Sequence, residues 1–164
     1  MSTNKTKEII EGKLSALEGK QIRQLRRAAL MLGVDFGYDV KCEHEIEYLY
    51  SVHIHSSWRL LKDSQIIFGQ SALFSKMSGF RWCDDNNDET IDTFSFTSIS
   101  EELNETFDAN SIRVINIEAN DLGDLKILME NGFCLEIFVD SIGDTESWRF
   151  FKNDDDSEHF VVFD

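Results

Sequence analysis

The chain has 164 residues, of which 41% are hydrophobic, and a formal net charge of −15. That length suits one domain, or two small halves sharing a core, and the composition is that of a folding chain. Residues 1–30 hold seven basic and three acidic residues, a net of +4, which leaves −19 for the remainder. So acidic a surface repels phosphate, and direct nucleic-acid binding is not expected.

Cys42, Cys83 and Cys134 are widely spaced and form no Cys-x-x-Cys pair. Reduced thiols are therefore expected, not a disulfide framework or a cysteine-rich zinc site. No apolar run approaches the roughly 18 residues of a membrane span. The N-terminus is polar and mixed in charge, unlike a secretory signal. The expected location is the cytoplasm, with no membrane partner and no cofactor.

In chain order, residues 6–18 predict an amphipathic helix. Ile10, Leu14 and Leu17 fall at i, i+4 and i+7 beside Ile9, and Gly19 supplies a stop. Residues 22–36 fit two patterns. Ile22, Leu25, Ala29 and Leu32 have helical spacing, whereas Leu30, Leu32, Val34 and Phe36 alternate. A polar connector is expected over 39–47. Residues 48–61 read as one long strand with a bulge at Ser56-Ser57. On it Leu49, Ser51, His53, His55 and Ser57 share one face. Lys62-Asp63-Ser64 then turns into a short strand over 66–69.

Residues 71–97 carry the acidic loop Asp84-Asp85-Asn86-Asn87-Asp88-Glu89. Ser98-x-x-Glu101 has the form of a capping box, and Ile99, Leu103 and Phe107 mark a second helix over 99–108. Strands are expected at 112–118, 125–130, 133–139, 147–152 and 158–163. Asn131-Gly132 makes a two-residue hairpin turn, because both positions tolerate positive φ. The Asn153–Asp156 run turns between the last two strands.

One pattern recurs. Trp58-Arg59-Leu60-Leu61-Lys62 returns 90 residues later as Trp148-Arg149-Phe150-Phe151-Lys152, and Ile22-Arg23 returns at the same offset as Ile112-Arg113. The alternation over 112–117 carries a strand reading back to 22–36. The expected fold is α+β: two helices packed on mainly antiparallel sheet, as a duplicated α-β-β-β-β unit with pseudo-twofold symmetry. A single domain spans 1–164, with halves at about 6–75 and 98–164 and an acidic connector at 76–97.

Little chemistry is signalled. His53 and His55 share a strand face and could chelate a metal if His44 or Cys42 supplied a third ligand, which defines the alternative reading, a metal-dependent enzyme. Asp84-x-Asn86-x-Asp88 begins like a calcium loop, but Glu89 stands where that loop needs Gly. Asp154, Asp155 and Asp156 read as a solvated hairpin tip. No Gly-x-Ser-x-Gly elbow, Cys-His context or Gly-rich phosphate loop is present. Trp58 and Trp148 read as core anchors. Arg59 and Arg149 read as their outward neighbours, with Glu136 or Glu146 the expected partner of Arg149.

The segments Val52-His53-Ile54-His55-Ser56-Ser57-Trp58-Arg59, Asn120-Asp121-Leu122-Gly123-Asp124-Leu125 and Glu146-Ser147-Trp148-Arg149-Phe150 resemble those of small, acidic, uncharacterised bacterial proteins with paired Trp-Arg hairpins. Such proteins look like the immunity partners of bacterial toxins. That family often has an Asp after the first Trp-Arg hairpin, and Gly69-Gln70-Ser71-Ala72 lacks it here. The resemblance implies a non-enzymatic protein that neutralises a basic toxin by stoichiometric binding. Its partner contacts are expected at Asp84, Asp85, Asp88, Glu89 and Asp154–Asp156.

Overall fold

The computed structural model describes residues 7–41, 46–74, 95–154 and 156–163. Both expected helices form. α1 spans Lys7–Leu14, continues in a 3-10 turn over Ser15–Leu17, and buries Ile10, Leu14 and Leu17. Gly19 follows at φ +77°, a left-handed position suited to glycine. α2 spans Ser95–Asn110. Ser98 thus lies inside α2 and does not cap it. The helix starts earlier because Phe96, 3% exposed, anchors its first turn in the core.

Among the described residues ten strands accompany the helices: β1 (Ile22–Ala28), β2 (Met31–Lys41), β3 (Ile46–Ile54), β4 (Ser57–Lys62), β5 (Gln65–Gly69), β6 (Val114–Ala119), β7 (Leu125–Met129), β8 (Phe133–Phe138), β9 (Glu146–Lys152) and β10 (Phe160–Phe163). The single strand expected over 22–36 is two strands. The tight turn between them uses Ala29 at φ +52° and no glycine or asparagine marks it. The connector expected over 39–47 is strand at both ends, since β2 runs on to Lys41 and β3 begins at Ile46, and residues 42–45 lie outside the described residues. The Asn131-Gly132 turn forms as expected, at φ +58° and +77°.

The strands make two antiparallel sheets, ordered β1-β2-β3-β9-β10 and β5-β4-β8-β7-β6. The long strand expected over 48–61 is therefore also two strands, one in each sheet. The break falls at His55-Ser56, whose backbone N–H groups both donate to the Ser147 carbonyl, at 2.9 and 3.1 Å. The alternation of apolar residues runs on through the crossing, which is why a single strand is what the pattern suggests.

Among the described residues, residues 7–74 thus contribute one helix and five strands, as do residues 95–163, where four strands were expected in each, and each stretch lends its last hairpin to the other's sheet. Trp58 lies opposite Ile137 of β8, and Trp148 lies opposite Ile54 of β3. The helices are exchanged too: α1 packs on β6, and α2 packs on β1. The two sheets meet at an isolated bridge between Gln21 and Arg113. Beside it Ile22 N–H donates to Ile112 O and Val114 N–H donates to Lys20 O, both at 2.9 Å.

In register terms the counterpart of Ile22 is Val114, not Ile112. Ile22 faces Phe36 and Val114 faces Met129, each just before a register shift at the same place in its strand pair. Ile22 and Ile112, which lie 90 residues apart, therefore do not take equivalent register positions.

Inward side chains of both sheets and both helices join one hydrophobic cluster. Trp148, Phe36 and Phe107 are its largest fully buried members. Each fully buried Leu, Ile or Phe contributes about 1.5–3 kcal/mol. No helix among the described residues is long and apolar enough to cross a membrane.

Candidate functional site

The outward face of the first sheet holds the densest polar arrangement. Strand pairing sets it out in two rows. Arg26, Gly33, His53 and Arg149 lie side by side across β1, β2, β3 and β9, and so do Gln24, Asp35, Ser51 and Phe151. Gly33 matters because Arg26 lies across it. A Cβ at position 33 would come within 2.9 Å of the guanidinium carbon of Arg26.

Asp35 is only 3% exposed, and its carboxylate is fully engaged. Gln24 Nε2 and Arg26 Nε donate to Oδ2, both at 2.8 Å, while Ser51 Oγ, at 2.6 Å, and Arg26 Nη2, at 3.3 Å, donate to Oδ1. Such satisfaction is what allows a carboxylate to be buried. Asn153 Nδ2 donates to Ser51 Oγ at 2.8 Å and to Tyr48 O at 2.5 Å. These residues wall a pocket of about 230 Å³, with Tyr48 and Glu47 at its side.

His53 is half-buried beside this network. Arg26 Nη2 lies 2.9 Å from its Nε2. A guanidinium can only donate, so Nε2 accepts and the ring proton sits on Nδ1. Burial, and then the charge of Arg26, push the imidazole down to about 4. His53 is thus neutral near pH 7 and is not poised for proton transfer there. Its ring meets Phe151 edge-on, with centroids 4.8 Å apart, and Phe151 stacks on His159 at 4.2 Å.

At the far end of the row, Arg149 donates to both oxygens of Glu146 and lies 3.1 Å from His159 Nδ1. The hydrogen bonds from Arg149 hold the Glu146 carboxyl below its ordinary range. His55 Nε2 lies 4.0 Å from Glu146.

This geometry does not assemble the metal site read from His53 and His55. Among the described residues no three His, Cys, Asp or Glu side chains are grouped to hold an ion. The Nε2 of His53 is turned to Arg26. Cys42 and His44, the suggested third ligands, lie outside the described residues.

The Trp-Arg motifs have the expected sidedness: both indoles are buried and both guanidiniums face outward. Arg149 takes Glu146 as its carboxylate. Glu136, only 6% exposed, belongs to Arg59, whose Nε donates to it at 2.6 Å. Lys126 also approaches Glu136, at 4.0 Å. Burial pushes the neighbouring Cys134 thiol up, away from a nucleophilic thiolate.

Of the acidic residues singled out in the sequence, Asp154 and Asp156 are exposed on the β9–β10 connection. A hydrogen bond with Ser157 is the main reason the Asp154 carboxyl is held down, and Lys152 lies 3.4 Å away. Asp84, Asp85, Asp88, Glu89 and Asp155 lie outside the described residues.

Sequence reasoning passed over a second acidic surface. Glu101, Glu102, Glu105 and Asp108 are all exposed on α2, and that helix contains no Lys or Arg. Among the described residues only Asp108 has a cationic partner, Arg23 at 3.8 Å. The signal was available: 101, 105 and 108 have helical one-face spacing.

Comparison with protein-family models, curated proteins and solved structures found no match.

Proposed function

We propose that this chain is a non-enzymatic, cytoplasmic binding protein that neutralises a basic partner, as a bacterial immunity protein neutralises its toxin. The observation that carries this reading is the acidic face of α2. Glu101, Glu102 and Glu105 stand exposed without cationic partners among the described residues. By contrast, the carboxylates Asp35, Glu136 and Glu146 are tied to arginines on the sheet faces. An unpaired acidic face on a chain of net charge −15 raises the encounter rate with a cationic surface and makes association depend on salt. Laid over the positively charged active site of a nuclease, such a face excludes the nucleic-acid substrate by occupying its phosphate contacts.

We further propose that the two halves are copies of one unit. The repeated strand order, the matching register shift and the reciprocal hydrogen bonds around Gln21 and Arg113 support this.

The test of the functional reading is co-purification with the basic protein encoded beside this one, in low and in high salt. Capture lost at high salt is expected. Capture that salt leaves unchanged would remove the electrostatic mechanism.

A further inference from the structure

The two Ile-Arg pairs of the sequence come together where the sheets meet. Ile22 and Ile112 are fully buried there. Arg23 and Arg113 line a pocket of about 240 Å³ with Lys20, Gln21, Gly37 and Tyr38. Gln21 and Arg113 are the facing residues of the bridge between the sheets. Arg23 is the unpaired residue of the register shift between Ile22 and Gln24, the kind of irregularity that re-aims a side chain. The charged residues lining the pocket, Lys20, Arg23 and Arg113, are all basic. Three carboxylates lie near them without lining it. Asp39 is 3.4 Å from Arg23 Nη1, Asp108 is 3.8 Å from Arg23 Nε, and Glu130 accepts the Arg113 backbone N–H at 3.1 Å. Asp39 and Asp108 offset the charge of Arg23, but its Nε is buried and has no hydrogen bond among the described residues. The side chains of Lys20 and Arg113 have neither a hydrogen bond nor an ion pair among the described residues. Gln21 gives its amide only a long bond, 3.5 Å, to Phe107 O, and the phenol of Tyr38, 64% exposed, stands at the rim.

We propose that this pocket binds the phosphoryl group of a small phosphate monoester. The proposal goes beyond the partner reading and does not rest on it. Two guanidiniums, an ammonium, an amide and a phenol make a lining rich in donors, which an anion satisfies and a cation does not. A buried N–H without an acceptor, such as Arg23 Nε, gains most from an incoming oxygen. The donors come from separate places in the fold: β1, the residue before β6, and β2. A planar carboxylate pairs with one guanidinium fork, whereas a phosphoryl group presents three oxygens and can meet Arg23, Arg113 and Lys20 together. Size agrees with chemistry. About 240 Å³ falls below the roughly 300–1,000 Å³ of sites that enclose whole small molecules, so the pocket suits the head group and leaves the ester's organic part in solvent. The net charge of −15 repels phosphate at long range, but salt screens that repulsion beyond about 10 Å. Inside that distance Lys20 and Arg113 set the local field.

The probe is methyl phosphate, titrated into the full-length protein at about pH 8, where a phosphate monoester is dianionic, and followed by amide NMR shifts. Saturating shifts centred on Lys20, Gln21, Arg23, Gly37, Tyr38 and Arg113 are expected. Arg113→Gln, at an exposed side chain with no partner to lose, should keep the amide spectrum of the folded chain and weaken binding about tenfold, as loss of a charge-assisted hydrogen bond does. Lys126→Gln removes the same charge outside the pocket and should leave the affinity unchanged. Acetate should bind more weakly than methyl phosphate. Shifts that do not saturate at these residues, or equal affinity in Arg113→Gln, would overturn the pocket assignment. An equal loss in Lys126→Gln would overturn it too, since binding would then follow total charge alone. Acetate bound as tightly as methyl phosphate would overturn the choice of a phosphoryl group. None of these results bears on partner capture, which stands or falls on its own salt dependence.

Discussion

The indole N–H of Trp148 donates to the Gly123 carbonyl at 2.9 Å, whereas Trp58, which holds the matching place in the other sheet, has no acceptor among the described residues. Both indoles are buried, Trp58 at 3% and Trp148 at 0% exposed, and Trp148 has the hydrogen bond that Trp58 lacks. Trp148→Phe loses that bond and leaves the Gly123 carbonyl unsatisfied. Trp58→Phe removes a donor that was already unsatisfied. In urea unfolding, Trp148→Phe should cost about 1 kcal/mol more than Trp58→Phe. Equal costs would contradict the assigned environments.

The exchanged hairpins interlock the halves. β9 and β10 complete the sheet of the first half, and β4 and β5 complete that of the second. A protease site inserted between residues 74 and 95 should yield two fragments that stay together in native buffer and part only in denaturant. Separation on cleavage, seen by size-exclusion chromatography, would show that the sheets do not depend on each other.

His53 should make stability depend on pH. Its folded-state value, about 4, lies below the unfolded 6.5. The unfolded chain therefore binds the proton more readily between those values. The native state loses stability as pH falls from 6.5 towards 4 and keeps it above 6.5. The loss should be on the order of 1–2 kcal/mol, allowing for screening of the exposed half of the ring. His53→Gln keeps an acceptor for Arg26 and should flatten this part of the profile. Glu146, whose carboxyl is lowered by Arg149, acts only at more acid pH, so the two contributions separate. An unchanged slope in His53→Gln would show that another group titrates.

Glu136 is buried against Arg59, with Lys126 farther off at 4.0 Å. Arg59→Met removes its close cation and should destabilise by roughly 2 kcal/mol, less than a fully buried pair because Arg59 is part-exposed and Lys126 remains. Adding Glu136→Leu should recover most of that loss. A double variant as unstable as the single one would mean that Glu136 is not the group left stranded.

Periodicity was a good guide where one partner decided one face, and a poor one where the partner changed. The second half read clearly because Asn131-Gly132 marks its hairpin and β6 is rich in the β-branched residues Val114, Ile115 and Ile117. The first half hid two breaks. Ala29 takes a left-handed turn without a turn residue, and His55-Ser56 passes from one sheet to the other without interrupting the alternation. The sidedness of the Trp-Arg pairs follows from strand geometry alone. Their carboxylate partners are less legible, since Glu136 comes from a distant strand and only register assigns it to Arg59. The Asp35 network was not legible at all. Arg26, Asp35, Ser51 and Asn153 are scattered over four elements, and only strand order brings them together.

The central claim is that the unpaired acidic face of α2 recruits a basic partner. The most direct measurement is quantitative capture of that partner by the full-length chain and by its Glu101→Gln, Glu102→Gln, Glu105→Gln variant, at matched low salt and with folding checked by circular dichroism. The account predicts that the variant keeps its fold and loses most of its association rate, the signature of lost electrostatic steering. Association by the variant as fast and as tight as by the parent chain would contradict it.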